Sequence, residues 1–395
     1  MKKFVLAIMA LAMAAAMPSA QAQHFHVLHE FQDGPFDGAS PGGALARDQA
    51  GNLYGTTGHG GLNQNGVVYK IDPAGAESVL FSFDGTNGAG PFAGLVLDQA
   101  GNVYGTAGAG PNDEGVIFRV SPSGEETVLF DFPSKLPLGP IQPIGGLLLD
   151  KAGNLYGATT LGGNGNCIDG CGTIYRLDTT GKAHMLHQFS GGADGFSPLG
   201  SLIADANGNL YGVAQVGGDF NCSVDPFEGE GCGTVFRIAK NGKFTVLHAF
   251  HGRTDGEIPQ AGLVLDKATG NLYGSAIGGN KSGNGLVFQI SPKGKYKVVH
   301  QFTGTDGSSP NGGLILDEAG NIYGTTQSGG SNGLGTAFAM NAAFQLKVLH
   351  NFTGGRDGFA PLTGLTLDPA GNLFGTAFKN LRTKHDVGDV FEITP

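Results

Sequence analysis

Carboxylates and imidazoles are the side chains in this sequence with the means to do chemistry, and they come in two kinds, periodic and irregular. The periodic carboxylates are Asp37, Asp194, Asp255, Asp306 and Asp357, each opening the phrase Asp-Gly-x-x-Pro, with Asn87 at the matching place in a further copy and no acidic counterpart near Gly139. Such a ring of carboxylates on one face could take Ca²⁺, which binds six to eight oxygens. Asp-Gly is also a turn dipeptide, and one Asp per repeat spreads the charges instead of converging them, so the turn reading is preferred. No cofactor is expected, and Ca²⁺ is the one ion the pattern raises. The periodic imidazoles are His29, His187, His248, His300 and His350 in the phrase Val-Leu-His-x-Phe, with Phe81 and Phe130 at the same position in two other copies. Five aligned histidines invite a metal. An apolar ring at two of the seven places points instead to half-buried packing.

The irregular residues are the remaining candidates for binding or chemistry: His59, Asp113, Glu114, Asp169, Asp219, Asp225, Glu228, Glu230, Lys384, His385 and Asp386. They fall in glycine-rich stretches that resemble phosphate cradles only in composition, since no Gly-Lys-Ser/Thr is present. His-Glu-x-x-His does not occur, and no catalytic residue is assigned.

What must position all of these is a repeat. Gly51-Asn52-Leu53-Tyr54-Gly55 recurs from Gly101, Gly153, Gly208, Gly270, Gly320 and Gly371, at spacings of 50, 52, 55, 62, 50 and 51 residues. That period suits a four-stranded propeller blade. Each repeat has four short apolar runs, here called strands a to d; in the fifth they are Gly262–Leu265, Asn271–Ala276, Leu286–Ile290 and Tyr296–Phe302. The a–b turn reads Asp-x-x-Gly-Asn, in which the Asp side chain accepts backbone N–H groups and Gly supplies a positive φ. The c–d turn reads Ser-Pro-x-Gly at Ser121 and Ser291, with Pro at i+1 of a type I turn. The expected fold is therefore all-β: a seven-bladed propeller of four-stranded antiparallel blades. Its a–b and c–d turns share one, monotonous face. Its b–c and d–a connections share the other, variable face, which runs from the short Gly329–Gly333 segment to the long Val216–Gly231 loop.

The chain's two ends carry the closure. A d-type run, His26–Phe31, precedes any other strand, and the last repeat has a, b and c but no d. The N-terminal strand is expected to complete the last blade, leaving no open edge. On a fourth strand, about 14 Å beyond the first at about 4.8 Å per strand, the periodic histidines lie on a wide circle where no two need meet. The basic residues of strand c, Lys70, Arg119, Arg176 and Arg237, are expected to snorkel or pair, and the Tyr of each Gly-Asn-Leu-Tyr-Gly to be core.

Residues 1–22 read as a signal peptide, with Lys2 and Lys3, an apolar run from Phe4 to Ala16, and Ala20-Gln21-Ala22 before the cut. Residues 23–395 are then one propeller domain. Its compartment is periplasmic or extracellular. The formal net charge of −10 argues against nucleic acid and anionic membrane as partners, and no later run is long enough to insert in a membrane as a helix. Trp, the aromatic most typical of binding hot spots, is absent. The four cysteines suit disulfides in an exported chain. Of three pairings, Cys167 with Cys171 and Cys222 with Cys232 is preferred, each closing its own loop; the spacing and the lack of an adjacent His disfavour zinc.

The phrases Leu-x-x-Asp-x-x-Gly-Asn-Leu-Tyr-Gly-Thr-Thr, Gly-Thr-Val-Phe-Arg-Ile, Val-Leu-His-x-Phe and Asp-Gly-x-x-Pro together resemble the Gloeo-Verruco (GloVer) repeat of exported bacterial proteins. The resemblance covers residues 24–393 and is close at Gly312–Gly324 and Gly233–Ile238. It implies an extracytoplasmic repeat protein and brings no catalytic residues to carry over. The Asp-x-x-Gly-Asn-x-Tyr turn is also similar to that of NHL-type and lactonase-type propellers, without their metal ligands. Two functions follow from this sequence. One is a monomeric binding or surface-interaction module that engages a glycan, a cell-envelope component or an extracellular protein through the variable face. The alternative is a propeller enzyme, a lyase, lactonase or hydrolase, using acidic residues near the central channel and Ca²⁺.

Overall fold

The structure is a computed structural model that describes residues 23–133, 142–222, 231–253, 255–377 and 387–394. The described strands form seven antiparallel sheets, one per repeat, in a seven-bladed propeller. In blade 5 the strands are Val264–Leu265 (a), Leu272–Ala276 (b), Leu286–Ile290 (c) and Tyr296–Gln301 (d). Blade 1 carries an additional short strand, Gly38–Pro41, which pairs with the far end of its long strand b, Leu53–Gly60. Among the described residues no helix is long and apolar enough to cross a membrane.

Two glycines of the recurring phrase have separate physical causes. The first sits at positive φ in every copy, from 75° at Gly270 to 93° at Gly371, a conformation that costs a residue with a Cβ. The second lies under the strand c aromatic. A Cβ on Gly274 would come 2.4 Å from Cζ of Phe288, and one on Gly375 2.5 Å from that of Phe391. The Tyr is anchored as well as packed. In blade 1, Asp48 accepts hydrogen bonds from the Asn52 backbone N–H (2.9 Å), the Asn52 side-chain amide (2.6 Å) and the Tyr54 hydroxyl (3.0 Å). Asp98, Asp150, Asp205 and Asp317 repeat all three bonds. Burial opposes ionisation of Asp48, Asp98, Asp150 and Asp205, but these hydrogen bonds outweigh it and hold each pKa below the usual value.

Every strand d bulges at one place, leaving Leu28, Leu80, Leu129, Leu186, Leu247, Val299 and Leu349 out of register with strand c. A bulge strengthens local twist, and here it re-aims the residue that follows, which is the His or Phe of Val-Leu-His-x-Phe. The final Phe of that phrase is the core residue. Phe31, Phe83, Phe189, Phe250 and Phe352 are fully buried, and Phe132 and Phe302 nearly so. The core lies between blades. One cluster joins Phe250 and Val235 of blade 4 to Leu263, Leu272 and Phe288 of blade 5; another joins Phe31, Phe374 and Val390 of blade 7 to Leu53 and Tyr69 of blade 1.

Closure takes the expected form. His24–Glu30 pairs antiparallel with Asp389–Thr394, from His24 opposite Thr394 to Glu30 opposite Asp389. The Phe31 N–H donates to the Gly388 carbonyl at 3.1 Å, and Phe250 makes the same bond to Gly233 at 2.9 Å within blade 4. The joint between first and last strand thus reproduces the interior of a blade.

Candidate functional site on the variable loop face

The d–a connections bridge to the b–c loop of the blade they enter, at Ala89 with Ala109, Phe196 with Val216, Glu257 with Gly278 and Ser308 with Ser328. One face of the ring therefore carries both sets of loops. The seam is set by each Asp-Gly-x-x-Pro proline, which packs on the glycine opening strand c of the preceding blade, as Pro259 does on Gly233 and Pro310 on Gly285. The residue before that proline has a positive φ, even where it is the β-branched Ile258 at 55°.

At the outer rim of this face the periodic carboxylates and imidazoles meet. His29 pairs with Asp37, His187 with Asp194, His248 with Asp255, His300 with Asp306 and His350 with Asp357, at 2.9–3.1 Å from Nε2. The same Asp caps the start of its own loop, taking the backbone N–H of Gln32, Ser190, His251, Thr303 or Thr353. Burial raises the pKa of Asp194, Asp255 and Asp357, yet the hydrogen bonds from histidine, hydroxyl and backbone prevail and keep them low. Burial also lowers the pKa of His350 against the pull of Asp357. The turn reading of these Asp residues and the packing reading of these His residues are two halves of one pair. The imidazoles do pack between blades: His187 stacks on Phe244 at 3.7 Å, His248 on Tyr296 at 3.8 Å and His350 on Phe25 at 4.0 Å.

Three places depart from this pattern. At the ring joint, Glu77 takes the position that Phe244 and Tyr296 hold elsewhere and lies beside His29 and Asp37, with donor atoms of the three within 4.8 Å. Burial pushes Glu77 up to about 7, opposed by His29 and reinforced by Asp37. In blade 7, strand c begins with Asp389 where blades 3, 4 and 6 have Thr173, Thr234 and Thr336. Asp389 is fully buried, and burial together with the carboxylates of Asp357 and Glu30 raises its pKa well above the usual range. In blade 4, the loop-capping residue is itself a histidine. His251 Nδ1 lies 3.0 Å from Asp255 Oδ2, which His248 Nε2 also reaches at 2.9 Å, and His251 Nε2 lies 3.7 Å from Asp219.

Of the irregular candidates among the described residues, Asp219 is the one brought to another ionisable group, His251, which the sequence reading left out. His59 is exposed on the extended strand b of blade 1, its ring 6.0 Å from that of Phe92. Asp113 and Glu114 lie in the b–c loop of blade 2 and Asp169 in that of blade 3, with Asp113 and Asp169 at positive φ. These loops belong to different blades. Asp225, Glu228, Glu230, Lys384, His385 and Asp386 lie outside the described residues. Both disulfides have the pairing expected, Cys167–Cys171 and Cys222–Cys232, and no cysteine is free. The opposite, turn face has a shallow cleft over blades 1–3, lined by Arg47, Leu97, Asp98, Tyr104, Asp150 and Lys151 among others.

The signal that would have found the rim pairs is in the sequence. The five repeats with His are the five whose following connection has the Asp of Asp-Gly-x-x-Pro, and the two with Phe, at Phe81 and Phe130, are the two that lack Asp at that position.

The Gloeobacter/Verrucomicrobia repeat matches residues 17–224 and 227–395. No curated protein matches the chain. Among solved structures, the extracellular domain of a hybrid two-component system from B. thetaiotaomicron is similar at a TM-score of 0.59 with 11% identity, over 94% of this chain and 41% of that one. The extracellular domain of a one-component system from the same organism is similar at 0.58 with 11% identity, over 92% and 40%. The chain thus spans about two-fifths of the length of these structures, and the likeness is one of fold.

Proposed function

Since the chain belongs to the Gloeobacter/Verrucomicrobia repeat family, we propose that it is an exported propeller that binds a glycan, a cell-envelope component or an extracellular protein through its b–c and d–a loop face. The disulfide-bearing loops of blades 3 and 4 are the centre of that surface. One observation carries the reading: the two faces differ in how they vary. The turn face repeats the same Asp–Asn–Tyr network blade after blade. On the loop face, strand-connecting segments differ in length, covalent bracing and charge, and rigid scaffolds carry recognition on segments of that kind. Two disulfides suit an oxidising compartment, periplasmic or extracellular, and the chain acts as a monomer.

The competing enzyme reading needs carboxylates gathered at the central channel. In the five blades that have them, the d–a carboxylates are instead drawn outward to histidines of the outermost strands. The test is a binding screen against glycans and envelope extracts, using the wild type and a variant whose Val216–Gly231 loop is replaced by the short Gly329–Gly333 segment. Binding by the wild type that the graft removes supports the proposal. Absence of any binding, or binding that survives the graft, overturns it.

A further inference from the structure

We propose that His248, His251 and Asp255 form a binding site for one divalent transition-metal ion, with Asp219 orienting the exposed histidine. The inference stands apart from the ligand-binding reading above, because it concerns the ion alone. His248 Nε2 and His251 Nδ1 lie 2.9 and 3.0 Å from the same carboxylate oxygen of Asp255, and donor atoms of the three residues all fall within 4.8 Å of one another. Nitrogen and oxygen ligands about 2.0–2.2 Å from a metal stand roughly 3 Å apart at ordinary coordination angles, so a small inward shift of the donors seats an ion.

The other nitrogen of His251 faces Asp219 at 3.7 Å. A carboxylate on the far nitrogen of a ligating imidazole fixes its tautomer and orientation, as in most histidine–metal sites. This second carboxylate comes from a different element, the b–c loop of blade 4, three residues before Cys222.

The repeat supplies its own controls. In the other four pairs the residue corresponding to His251 is Gln32, Ser190, Thr303 or Thr353, and the last three cap the Asp with a hydroxyl. Those hydroxyls give the same turn without an imidazole. Blade 4 alone of the five pairs has a second nitrogen donor there, in the spacing His-x-x-His-x-x-x-Asp.

Exposure also grades across the site. The side chains of His248 and Asp255 are 14% and 15% exposed, whereas His251 is 57% exposed. Two ligands thus form a rigid back wall, and the third closes from the solvent side, leaving positions for water or for a donor from a bound molecule. Two imidazoles and one carboxylate select Zn²⁺, Co²⁺, Ni²⁺ or Cu²⁺ over Ca²⁺, which prefers six to eight oxygens.

The test uses the disulfide-intact full chain, stripped of metal by chelator and titrated with Co²⁺, followed by Zn²⁺ displacement. Visible d–d absorption and calorimetry report the site. The expected result is one Co²⁺ per chain at this site, displaced by Zn²⁺, with affinity reduced at least about 100-fold in His251→Thr and about 10–100-fold in Asp219→Asn, the range typical of outer-shell partners. His251→Thr installs the residue that blades 5 and 6 use at this position, and matching metal-free melting curves for it and the wild type show that the fold is intact. His350→Phe, which alters an equivalent pair lacking the second histidine, should leave the titration unchanged. No saturable absorption in the wild type, or a titration that His251→Thr leaves unaltered, would overturn the proposal.

Discussion

Replacing Phe31 by Ala tests the closure, because the repeat contains its own reference. Phe31 is fully buried, 4.8 Å from the ring of His29 and 5.0 Å from that of Tyr69 in edge-on geometry. Phe250, fully buried at the same position of blade 4, has neighbours of the same kind in His248 and Phe288. Truncation of a core Phe costs about 3–5 kcal/mol. With an unfolding entropy of about 2.1 cal/mol/K per residue, a chain of 395 residues loses roughly 4–6 °C of Tm for that cost. If His24–Glu30 is as firmly docked as an internal strand, Phe31→Ala and Phe250→Ala shift Tm by similar amounts. Thermal unfolding followed by near-UV circular dichroism measures both. A Phe31→Ala shift below about 1 °C beside a full shift for Phe250→Ala would show that the ring is not clasped by its N-terminal strand. Deleting residues 23–31 is the harsher version. It uncovers Phe391 and Val390 along an open strand edge and should promote association as well as melting.

His350→Phe alone leaves the Asp357 carboxylate without its imidazole, and Asp357→Asn alone weakens its acceptance from Thr353; each should cost about 1–3 kcal/mol. The double variant should cost clearly less than the sum in a denaturation cycle, because two blades already run on Phe with no Asp at the position of Asp357, and strict additivity would refute the coupling. Glu77 has its folded pKa raised from 4.5 to about 7, so its penalty is absent below the unfolded value and grows as pH rises through this window. Glu77→Gln should therefore raise Tm at pH 8 and leave it unchanged at pH 4; an equal gain at both would contradict the assignment. Asp389, also raised, follows the same sign, and Asp389→Thr should stabilise by about 1–3 kcal/mol at pH 7 with the gain fading as pH falls toward the ordinary Asp range. Gly274→Ala would press its Cβ into Phe288 and should cost about 1–3 kcal/mol by urea unfolding, whereas Gly313→Ala, with open space around it, should be nearly silent.

The architecture was legible because its cause is local and repeated. Turn chemistry at Asp48–Asn52, the period of the phrase and the orphan His26–Phe31 run fixed blade number, strand order and closure without any long-range information. The disulfides were legible for a similar reason, since each closes a loop within one blade. The rim pairs were visible only by comparing columns of the repeat with one another: His and Asp are seven or so residues apart and become neighbours through the bulge and the loop cap. His251 was harder still. It looks like an ordinary loop residue until the fold sets Asp219, thirty-two positions earlier, against its outer nitrogen. Glu77 and Asp389 were missed for the opposite reason. Each stands in a strand position where hydrophobic or hydroxyl residues are usual, and only the packing of the adjacent blade shows how little water reaches it.

The pairing of His24 with Thr394 also sets an order of events for the growing chain. In a chain that emerges in sequence order, the outer strand of blade 7 appears before the other described strands and its partner after them, so for most of that passage it has no sheet to join. Blades 1 to 6 can each form from neighbouring segments, but the circle can shut only after the final strand is released, and contacts across so long a sequence separation form slowly. In the interval both rims of the unfinished crescent are sticky. A helper that masks strand edges, or a second nascent copy, would meet the protein at this stage and at no later one.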